Sequence, residues 1–408
     1  MKCRHCIKPL NLSFLDLGSA PPSNAYLTQE SLNTSETYYP LRLLVCEYCW
    51  LVQTDDYAGR ESLFNDNYAY FSSCSTSWLT HAQSYVNSMI NRFCLNAQSR
   101  VVEVASNDGY LLQFVQAAGI PNYGIEPTSS IAQVARDKGL EIIDHFFGVD
   151  LADELVKEGK QADLMVANNV LAHVPDINDF VAGFSRLLKP QGVATFEFPH
   201  LLNMVYENQF DTAYHEHYSY LSLTSVNKIF YKNGLTIFDV EQISTHGGSL
   251  RVYAQRTDIG NQPVSEKVGE KLKEEANAGT ESSKFYEGFQ IKAENIKDNL
   301  LAFLLEAKRD GKKVGAYSAA AKGNTVLNYA GVKPDLLPFV CDAAQSKQGK
   351  YLPGSHIPIF PPEYLEKQKP DFVLILAWNL RHELMHQLDY IRAWGGKFVF
   401  AVPKLEII

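Results

Sequence analysis

The sequence predicts an α/β protein in which a doubly wound central sheet is preceded by a metal-binding module and followed by a second α/β unit. Two C-x-x-C pairs lie near the start, short β-branched runs alternate with amphipathic stretches from Arg100 onward, and the same alternation returns at Lys313. A chain of 408 residues is too long for one compact core. We therefore expect three domains, at residues 1–68, 69–258 and 259–408.

The first module contains four cysteines in two close pairs, Cys3 with Cys6 and Cys46 with Cys49. Such pairs are typical of a closed tetrahedral zinc site, because each pair lies on a tight turn that directs both sulfurs at one metal ion. The segment between the pairs is too rich in loops to form much of a core, so the metal would replace that core. Disulfides are the alternative, but the other three cysteines are scattered and we expect a reducing compartment.

The composition disfavours several classes of partner. The net charge is −9 and there is no basic run, which argues against nucleic acid or an anionic membrane as the principal partner. The first residues lack the apolar core of a signal peptide, and no apolar run reaches the length of a membrane span. We expect a cytoplasmic protein, and a monomer, because nothing in the sequence resembles a dimerisation helix.

The central sheet is organised around the stretch RVVEVASNDGYLL, residues 100–112. A β-branched run carries an acid, Glu103, near its end and breaks into a small polar loop before the apolar pattern resumes with helical spacing. Ligands of open α/β sheets bind at such strand-to-helix junctions. A phosphate site would need more glycines or a Gly-Lys-Ser/Thr sequence, whereas this loop has one glycine and no lysine.

A second acid, Glu126, ends the next predicted strand. Acids at the ends of two neighbouring strands suit hydroxyl groups and a cationic amino-acid moiety and repel phosphate, which favours S-adenosylmethionine over NAD. The alternative is an ordinary βαβ unit with acids at its strand ends. The candidate cofactor-binding residues follow these strands and two later ones: Glu103, Ser106, Asn107, Asp108, Gly109, Glu126, Pro127, His145, Phe146, Asn168 and Asn169. For the aromatic pair at 145–146, packing in the core is an equally good interpretation.

The other elements alternate as expected for a parallel sheet. We predict helices at residues 78–93, 131–138 and 180–188, strands at residues 140–144, 163–167, 193–198 and 250–255, and a turn at residues 189–192. The charged stretch 264–309 is expected to be a helical connector between domains. In the C-terminal unit we predict strands at residues 313–317, 338–342 and 371–378.

The segment around Tyr214, His215, Glu216 and His217 combines two histidines, a glutamate and several tyrosines. Such a cluster offers a base near neutral pH, a carboxylate to orient it, and phenols that donate to a developing oxyanion. A metal site is the alternative, but side chains two positions apart point to opposite faces of an extended segment and lie off a common face on a helix. We therefore favour acid/base chemistry.

Two further segments suit a second ligand. Residues 318–325 are predicted to form a small-residue loop that opens a helix at Val326, and its small residues, Lys322 and the free helix amides would hold a pyrophosphate. A domain-closing turn is the alternative there. Residues 65–78 are dense in tyrosine and hydroxyl groups, which suits a polar, ring-shaped ligand, although taken alone a crossing between domains is the better interpretation.

Several motifs act together: the two C-x-x-C pairs, NYAYFSS, EVASNDGYLL, YGIEPT, NNVLAHVPD, FDTAYHEHYSYLS, AAAKGNT, GKYLPGSHIPI and ILAWNLRHE. With them the chain resembles the sugar C-methyltransferases that act on nucleotide-linked 4-keto deoxy sugars, over essentially its whole length. The resemblance implies an N-terminal zinc-binding module, a central class I methyltransferase sheet that binds S-adenosylmethionine, and a C-terminal Rossmann-like domain.

The resemblance also implies a substrate, a dTDP- or GDP-linked 4-keto-6-deoxy sugar methylated at C3′. It implies a base with four residues near it, namely His217 with Tyr214, Glu216, Tyr68 and His173. The implied substrate-binding residues are Tyr68, Tyr70, Lys322, Gly323 and Asn324. Asn107 and Asp108 stand where generic methyltransferases have a glycine-rich loop, which is normal within this family.

The chemistry agrees with these residue types. A 4′-ketone acidifies the neighbouring C3′ hydrogen, so a histidine can remove it and the enolate carbon can attack the sulfonium methyl. Two alternatives stay open: methylation of an oxygen or nitrogen of a sugar, and a non-catalytic scaffold built on a degenerate methyltransferase. The intact acids Glu103 and Glu126 and the intact Tyr-His-Glu-His run argue against the scaffold.

Overall fold

The computed structural model describes residues 1–55, 57, 59 and 71–408. Three sheets organise this described part, one in the cysteine-rich module, one in the central part and one in the C-terminal part. The predicted α/β fold class is confirmed. Tyr68 and Tyr70 lie outside the described residues, so their predicted roles stay predictions. None of the described helices has both the length and the apolar character that crossing a membrane requires.

The strands form mainly where β-branched and aromatic residues cluster. In chain order they are β1 (Leu12–Ala20), β2 (Tyr39–Val45), β3 (Val52–Thr54), β4 (Val101–Val104), β5 (Asn122–Ile125), β6 (Ile142–Ile143), β7 (Ala162–Asn168), β8 (Leu188–Pro199), β9 (Ser219–Tyr220), β10 (Leu235–Ile243), β11 (Ser249–Arg256), β12 (Val314–Tyr317), β13 (Val340–Cys341), β14 (Ile359–Phe360), β15 (Phe372–Ile375), β16 (Lys397–Phe400) and β17 (Glu406–Ile407).

The helices fall between these strands. In chain order they are α1 (Thr76–Phe93), α2 (Leu112–Ala117), α3 (Ser129–Asp137), α4 (Val149–Lys157), α5 (Ile177–Leu187), α6 (Leu201–Tyr206), α7 (Leu223–Lys232), α8 (Glu266–Ala278), α9 (Ser283–Tyr286), α10 (Phe289–Arg309), α11 (Ala321–Tyr329), α12 (Glu363–Gln368) and α13 (Arg381–Gln387). Helix α5 is representative: Asp176 caps its first turn, and Ile177, Phe180 and Phe184 form its buried face.

The central sheet has the strand order β6-β5-β4-β7-β8-β11-β10. Strands β4 to β8 run parallel, and β11 is antiparallel to both of its neighbours. All residues of β4 are buried, as expected for a strand in the middle of a sheet that is covered on both faces. The chain order reverses between β4 and β7, and ligands of such sheets bind outside the carboxyl ends of the strands at this point. The loops after β4, β5 and β7 therefore meet at one edge.

The sheet of the cysteine-rich module is antiparallel and has the order β1-β2-β3-β9. Its last strand comes from the central part of the chain, where Tyr220 pairs with Val52 and Ser219 with Gln53. Strand β9 begins two residues after His217. The module is thus joined by backbone hydrogen bonds to the segment that contains the predicted base, across the domain boundary predicted at residue 68.

The C-terminal sheet has the order β14-β13-β12-β15-β16-β17 and is parallel apart from β17. Helices α8 to α10 precede it, in the stretch that we expected to be a connector. On α8 the buried Glu275 carboxylate accepts hydrogen bonds from His200 Nε2 and from the backbone amide of Thr224, each at 2.7 Å. The connector therefore also contributes to the interior of the protein.

The turn predicted at residues 189–192 lies inside β8, so that prediction was wrong. Leu188 pairs with Ala162 and Val193 pairs with Leu164, which leaves the intervening residues as a bulge in the longer strand. The pattern Lys-Pro-Gln-Gly has the composition of a turn, but pairing with β7 on both sides of it keeps the strand continuous.

Several other predicted boundaries also differ, among them the strand expected at 338–342, which keeps only Val340 and Cys341. The loop expected at 318–325 ends early, because α11 begins at Ala321 and includes the substrate-binding candidates that follow. The strand expected at 140–144 keeps only Ile142 and Ile143, which lie at an edge of the sheet and pair on one side. The strand expected at 371–378 ends at residue 375 and is followed by a short 3-10 turn.

Candidate active site

The four predicted zinc ligands lie together. Their sulfur atoms are within 4.8 Å of one another, with Cys3 3.5 Å from Cys49 and Cys6 3.4 Å from Cys46. These distances are too long for disulfides and close to the sulfur separation of about 3.8 Å in a tetrahedron of zinc–sulfur bonds. Each pair lies on the same kind of turn, because Ile7 N donates to the Cys3 carbonyl and Trp50 N to the Cys46 carbonyl. The donor set fits a structural zinc ion.

A large cavity lies where the carboxyl edge of the central sheet faces the C-terminal unit. Its volume is about 980 Å³, near the upper end of the range of about 300–1,000 Å³ for ligand sites. Many predicted site residues line it: Asn107, Glu126, Pro127, His145, Phe146, Asn168, Asn169, His173, Tyr214, His217 and Lys322. The others in the described part lie behind this lining: Glu103, Ser106, Asp108, Gly109, Glu216, Gly323 and Asn324. One cavity therefore joins the predicted cofactor, catalytic and nucleotide regions.

The loop after β4 fixes the carboxylate of Glu126. That carboxylate accepts hydrogen bonds from the backbone amides of Asn107, at 3.0 Å, and Thr128, at 2.9 Å. The loop can turn this tightly because Ala105, Asn107 and Gly109 have positive φ angles. Burial raises the pKa of Glu126, and its fixed oxygens suit hydroxyl donors of a ligand.

The polar side chains of the same loop serve a second purpose. Asn107 Oδ1 accepts a hydrogen bond from Ser72 N at 2.9 Å, and Asp108 Oδ2 accepts one from Ser73 N at 3.3 Å. These bonds hold the start of the segment that leads into α1. Glu103 lies beneath the loop, fully buried beside Tyr110, and burial raises its pKa well above the usual range.

The side-chain amides of Asn168 and Asn169 line the cavity at the end of β7. Their oxygen and nitrogen atoms are buried and have no hydrogen-bond partner in the described part of the chain. Asn169 reaches this position with φ at 56°, and its backbone amide donates to the Glu197 carbonyl at 2.7 Å. Buried amides without partners are costly, so this pair is prepared for a polar ligand.

His217 is held as a neutral base. Its Nδ1 lies 2.9 Å from the Thr212 carbonyl oxygen, which can only accept, so Nδ1 carries the hydrogen and Nε2 carries the lone pair. The hydroxyl of Tyr214 donates to Nε2 at 2.7 Å. Burial, together with the like charge that His173 would bring, holds the pKa of His217 well below its usual range. The imidazole is therefore held in its neutral form, with Nε2 as the nitrogen that can accept a proton.

His173 and Glu216 complete this cluster in a different way from the one predicted. The rings of His173 and His217 are 4.6 Å apart, and His173 Nδ1 donates to the backbone carbonyl of Glu216 at 2.8 Å. Burial lowers the pKa of His173 to about 4. The Glu216 carboxylate accepts from Asn24 Nδ2 at 3.1 Å, while the Thr212 carbonyl fills the orienting role beside His217.

Comparison with known proteins identifies the family. Three family models match the chain: "Putative zinc binding domain" over residues 3–64, "Methyltransferase domain" over residues 78–240, and "C-methyltransferase C-terminal domain" over residues 244–403. The C-methyltransferase NovU of Streptomyces niveus is 33% identical over 407 residues, which are 100% of this chain and 96% of that protein. The chain belongs to the C-methyltransferase family. It is an enzyme that transfers a methyl group from S-adenosylmethionine to carbon.

Solved structures overlap with part of this C-methyltransferase. The PH0226 protein of Pyrococcus horikoshii OT3 is 15% identical, with 46% of this chain and 95% of that chain covered and a TM-score of 0.38. Magnesium protoporphyrin IX methyltransferase of Synechocystis PCC 6803 is 19% identical, with coverage of 44% and 83% and a TM-score of 0.34. Likenesses of this size carry no conclusion about the reaction.

The cofactor side of the C-methyltransferase cavity fits S-adenosylmethionine. The fixed Glu126 carboxylate suits the ribose hydroxyls, and the unpaired amides of Asn168 and Asn169 suit further polar groups. His145, Phe146 and Phe147 all line the cavity, and Phe147 also packs into the core. Contact of the pair at 145–146 with the adenine ring stays a prediction.

The C-methyltransferase cavity is also lined by His81 and His246, which were not among the predicted site residues, and by Trp78, the last residue of the segment 65–78. Trp78 and His81 stack with ring centres 4.9 Å apart, and Trp78 lies 5.3 Å from His246. His81 Nε2 lies 2.8 Å from the buried carboxylate of Glu197. These side chains come from α1, β8 and the turn after β10, and no local sequence pattern links them. Only their position in the fold reveals them.

Proposed function

We propose that this C-methyltransferase methylates C3′ of a nucleotide-linked 4-keto-6-deoxy sugar, with His217 as the base. The observation that carries the proposal is the neutral, buried imidazole of His217, which has its lone pair on Nε2. It lies in a cavity that is lined by the predicted cofactor-binding residues and by the basic residue Lys322. Methyl transfer to carbon requires removal of a carbon-bound hydrogen, and a ketone next to that carbon makes its removal feasible by an imidazole.

The residues around His217 can stabilise both charges that develop in the reaction, the positive charge on the imidazolium and the negative charge on the enolate oxygen. When Nε2 takes the C3′ proton, the C–H electron pair moves toward the ketone and the imidazolium keeps its Nδ1–H bond to the Thr212 carbonyl. Because Nε2 has a single lone pair, the Tyr214 hydroxyl that donates to it must first turn its hydrogen to the ketone oxygen, which leaves the lone pair for the C3′ proton and places the phenol hydrogen at the developing enolate oxygen. Such a donor contributes about 3 kcal/mol to stabilising the charge. Neutral His173 has its hydrogen on Nδ1, directed at Glu216, so Tyr214 is the better donor.

S-adenosylmethionine, when bound, supplies an electrophilic methyl group to the carbanion carbon. Glu126, Asn168 and Asn169 hold this cofactor in the proposal. The four cysteines hold zinc away from the reaction, so the metal has a structural role only.

Lys322 is proposed to bind the pyrophosphate of a dTDP- or GDP-linked sugar. It lies in the first turn of α11 and lines the cavity, where a cation and free helix amides both favour an anion. Gly323 and Asn324 support this turn from behind. A Cβ on Gly323 would lie 2.6 Å from Leu376, and Asn324 Nδ2 donates to the Ser23 carbonyl at 2.7 Å.

The deciding experiment incubates the enzyme with S-adenosylmethionine and a panel of dTDP- and GDP-linked 4-keto-6-deoxy sugars, with product mass and the methyl position read by NMR. We expect a methyl on C3′ of at least one sugar, and deuterium wash-in at C3′ from heavy water. His217→Asn should lose most of both, while His356→Asn, on the exposed surface, keeps them.

The other outcomes contradict the proposal. A methyl on oxygen or nitrogen without wash-in at C3′ would make the protein an O- or N-methyltransferase. Cofactor binding without methyl transfer to any sugar would favour either a non-catalytic scaffold or an acceptor of another chemical class.

A further inference from the structure

Asp211 lies in the short 3-10 turn just before Tyr214 and is completely buried. Its Oδ2 accepts a hydrogen bond from Trp378 Nε1 at 2.6 Å. Its Oδ1 is buried without a hydrogen-bond partner among the described residues. Trp378 follows β15 in the C-terminal unit, so this bond joins the base-containing segment to that unit.

Lys322 adds a charge to the same contact. Its ammonium group lies 4.6 Å from the centre of the Trp378 ring and donates to the His246 carbonyl at 3.3 Å. Burial raises the pKa of Asp211 to about 6, while Lys322 and the Trp378 hydrogen bond oppose that rise. Lys322 and Trp378 thus favour the ionised form of a carboxylate whose ionisation is opposed by burial.

The next two residues connect this contact to His217. The carbonyl of Thr212 accepts the Nδ1–H bond of His217 at 2.9 Å, and the carbonyl of Ala213 accepts a hydrogen bond from Thr325 Oγ1, on α11, at 2.9 Å. The carbonyl that determines the imidazole tautomer thus lies between two residues that the C-terminal unit holds. A shift of this turn would move that carbonyl away from Nδ1.

We propose that Asp211 is a positioning residue, which through Trp378 and Lys322 holds the Thr212 carbonyl against His217 Nδ1 and so makes Nε2 the basic nitrogen. The C-terminal unit then completes the base as well as facing the sugar side of the cavity. This inference rests on the proposed role of His217 in the reaction. Its structural part, the tautomer, can be measured without any sugar substrate.

The test is ¹⁵N NMR of protein labelled in its histidines, with the His217 signals assigned by their loss in His217→Asn. The wild-type enzyme should show the Nδ1–H tautomer at this position. Asp211→Asn and Trp378→Phe should each shift the His217 signals toward a mixture of tautomers. Both should lower kcat by about tenfold to a hundredfold, with KM for each substrate within about twofold of wild type.

Two matched variants separate this effect from general destabilisation. Asp239→Asn changes another buried aspartate, which pairs with Arg92 at 2.6 Å, and Trp394→Phe removes another indole donor, which binds the Pro370 carbonyl at 3.0 Å. Neither should alter the His217 signals or kcat.

Unchanged His217 signals in a folded Asp211→Asn or Trp378→Phe enzyme would overturn the inference, even if activity falls. If Asp211→Asn does not fold, Trp378→Phe decides, because phenylalanine keeps an aromatic ring at this position and lacks the N–H group that donates to Asp211. If the signals respond as expected but the wild-type enzyme methylates no keto sugar, the positioning role stands and the proposed function fails.

Discussion

At the scale of single residues, His217 takes its orientation from a backbone carbonyl and its low pKa from burial. Thr212 fixes which nitrogen is basic, and the neighbouring His173 would oppose a second positive charge. Glu216, the acid next to it in sequence, binds Asn24 in the cysteine-rich module. Adjacent residues in an irregular segment point in different directions, so adjacency in sequence does not imply contact.

The pH dependence of kcat/KM follows from this environment. His217 acts in its neutral form, and its pKa in the folded protein is lowered from an ordinary value of 6.5, so the neutral form persists as pH falls through 6.5. We expect kcat/KM to stay level from about pH 8 to 6.5 and to fall only in more acidic buffer. Stability must be followed in the same buffers. A half-maximal value at or above pH 6.5 would contradict the assignment.

Replacement of the phenol tests the proposed oxyanion donor. Tyr214→Phe removes the only hydroxyl bonded to His217 Nε2 among the described residues, and we expect kcat to fall by about a hundredfold. Binding of S-adenosylhomocysteine, measured by calorimetry, should not change. The control is Tyr231→Phe, since Tyr231 is 72% exposed. Equal kcat in the two variants would remove Tyr214 from the mechanism.

At the scale of elements, the β4–α2 loop replaces a glycine-rich phosphate loop with side chains that bind backbone. Asn107 and Asp108 hold the segment before α1, and the backbone of Asn107 holds Glu126. The single glycine that remains, Gly109, has φ at 78°, and a Cβ there would lie 2.2 Å from Leu140 Cδ1. Of the three residues with positive φ in this loop, Gly109 is the one that has no side chain and where a Cβ would clash.

Gly109→Ala is expected to destabilise the protein and weaken cofactor binding. The backbone strain costs about 1–2 kcal/mol and the clash with Leu140 about 1–3 kcal/mol more. Gly119→Ala is the matched control, because Gly119 has φ at 71° but nothing within 4 Å of a new Cβ. Urea unfolding and calorimetry with S-adenosylmethionine measure both effects. Equal losses of stability and of cofactor affinity in the two variants would show that Leu140 moves aside and the clash costs nothing.

At the scale of the whole molecule, three sheets converge on the cavity. The cysteine-rich module contributes Asn24 and pairs with β9, the central sheet contributes Glu126, and the C-terminal unit contributes Lys322. A substitution that destabilises one of the three units should therefore also lower the activity of the enzyme. The predicted domain limits and cytoplasmic location stay predictions.

Loss of the proposed zinc ion should reduce activity although the four cysteines lie outside the cavity. Cys49→Ser is expected to remove the metal, destabilise the protein by about 4 kcal/mol or more, and lower kcat through β9. Metal analysis, thermal unfolding and turnover are measured together, with Cys94→Ser, an exposed cysteine, as the control. Full activity in metal-free Cys49→Ser would show that turnover does not depend on the metal in the cysteine-rich module.

The oligomeric state has its own test. We predict a monomer, so light scattering after size exclusion should give a mass near 45.8 kDa at every concentration tested. A mass near twice this value would contradict the prediction.

The sequence by itself determined the features that depend on local patterns. Paired cysteines predicted the four-cysteine cluster, and the strand-end acid predicted the position of Glu126 at the edge of the sheet that lines the cavity, because spacing and period are readable within a few residues. The tertiary structure alone decided which distant groups meet: the bulge in β8, the pairing of β9 with the module, and the bond from Trp378 to Asp211, 167 positions apart in sequence. Such contacts follow from how elements pack, and packing leaves no periodic signal in the residues that happen to touch.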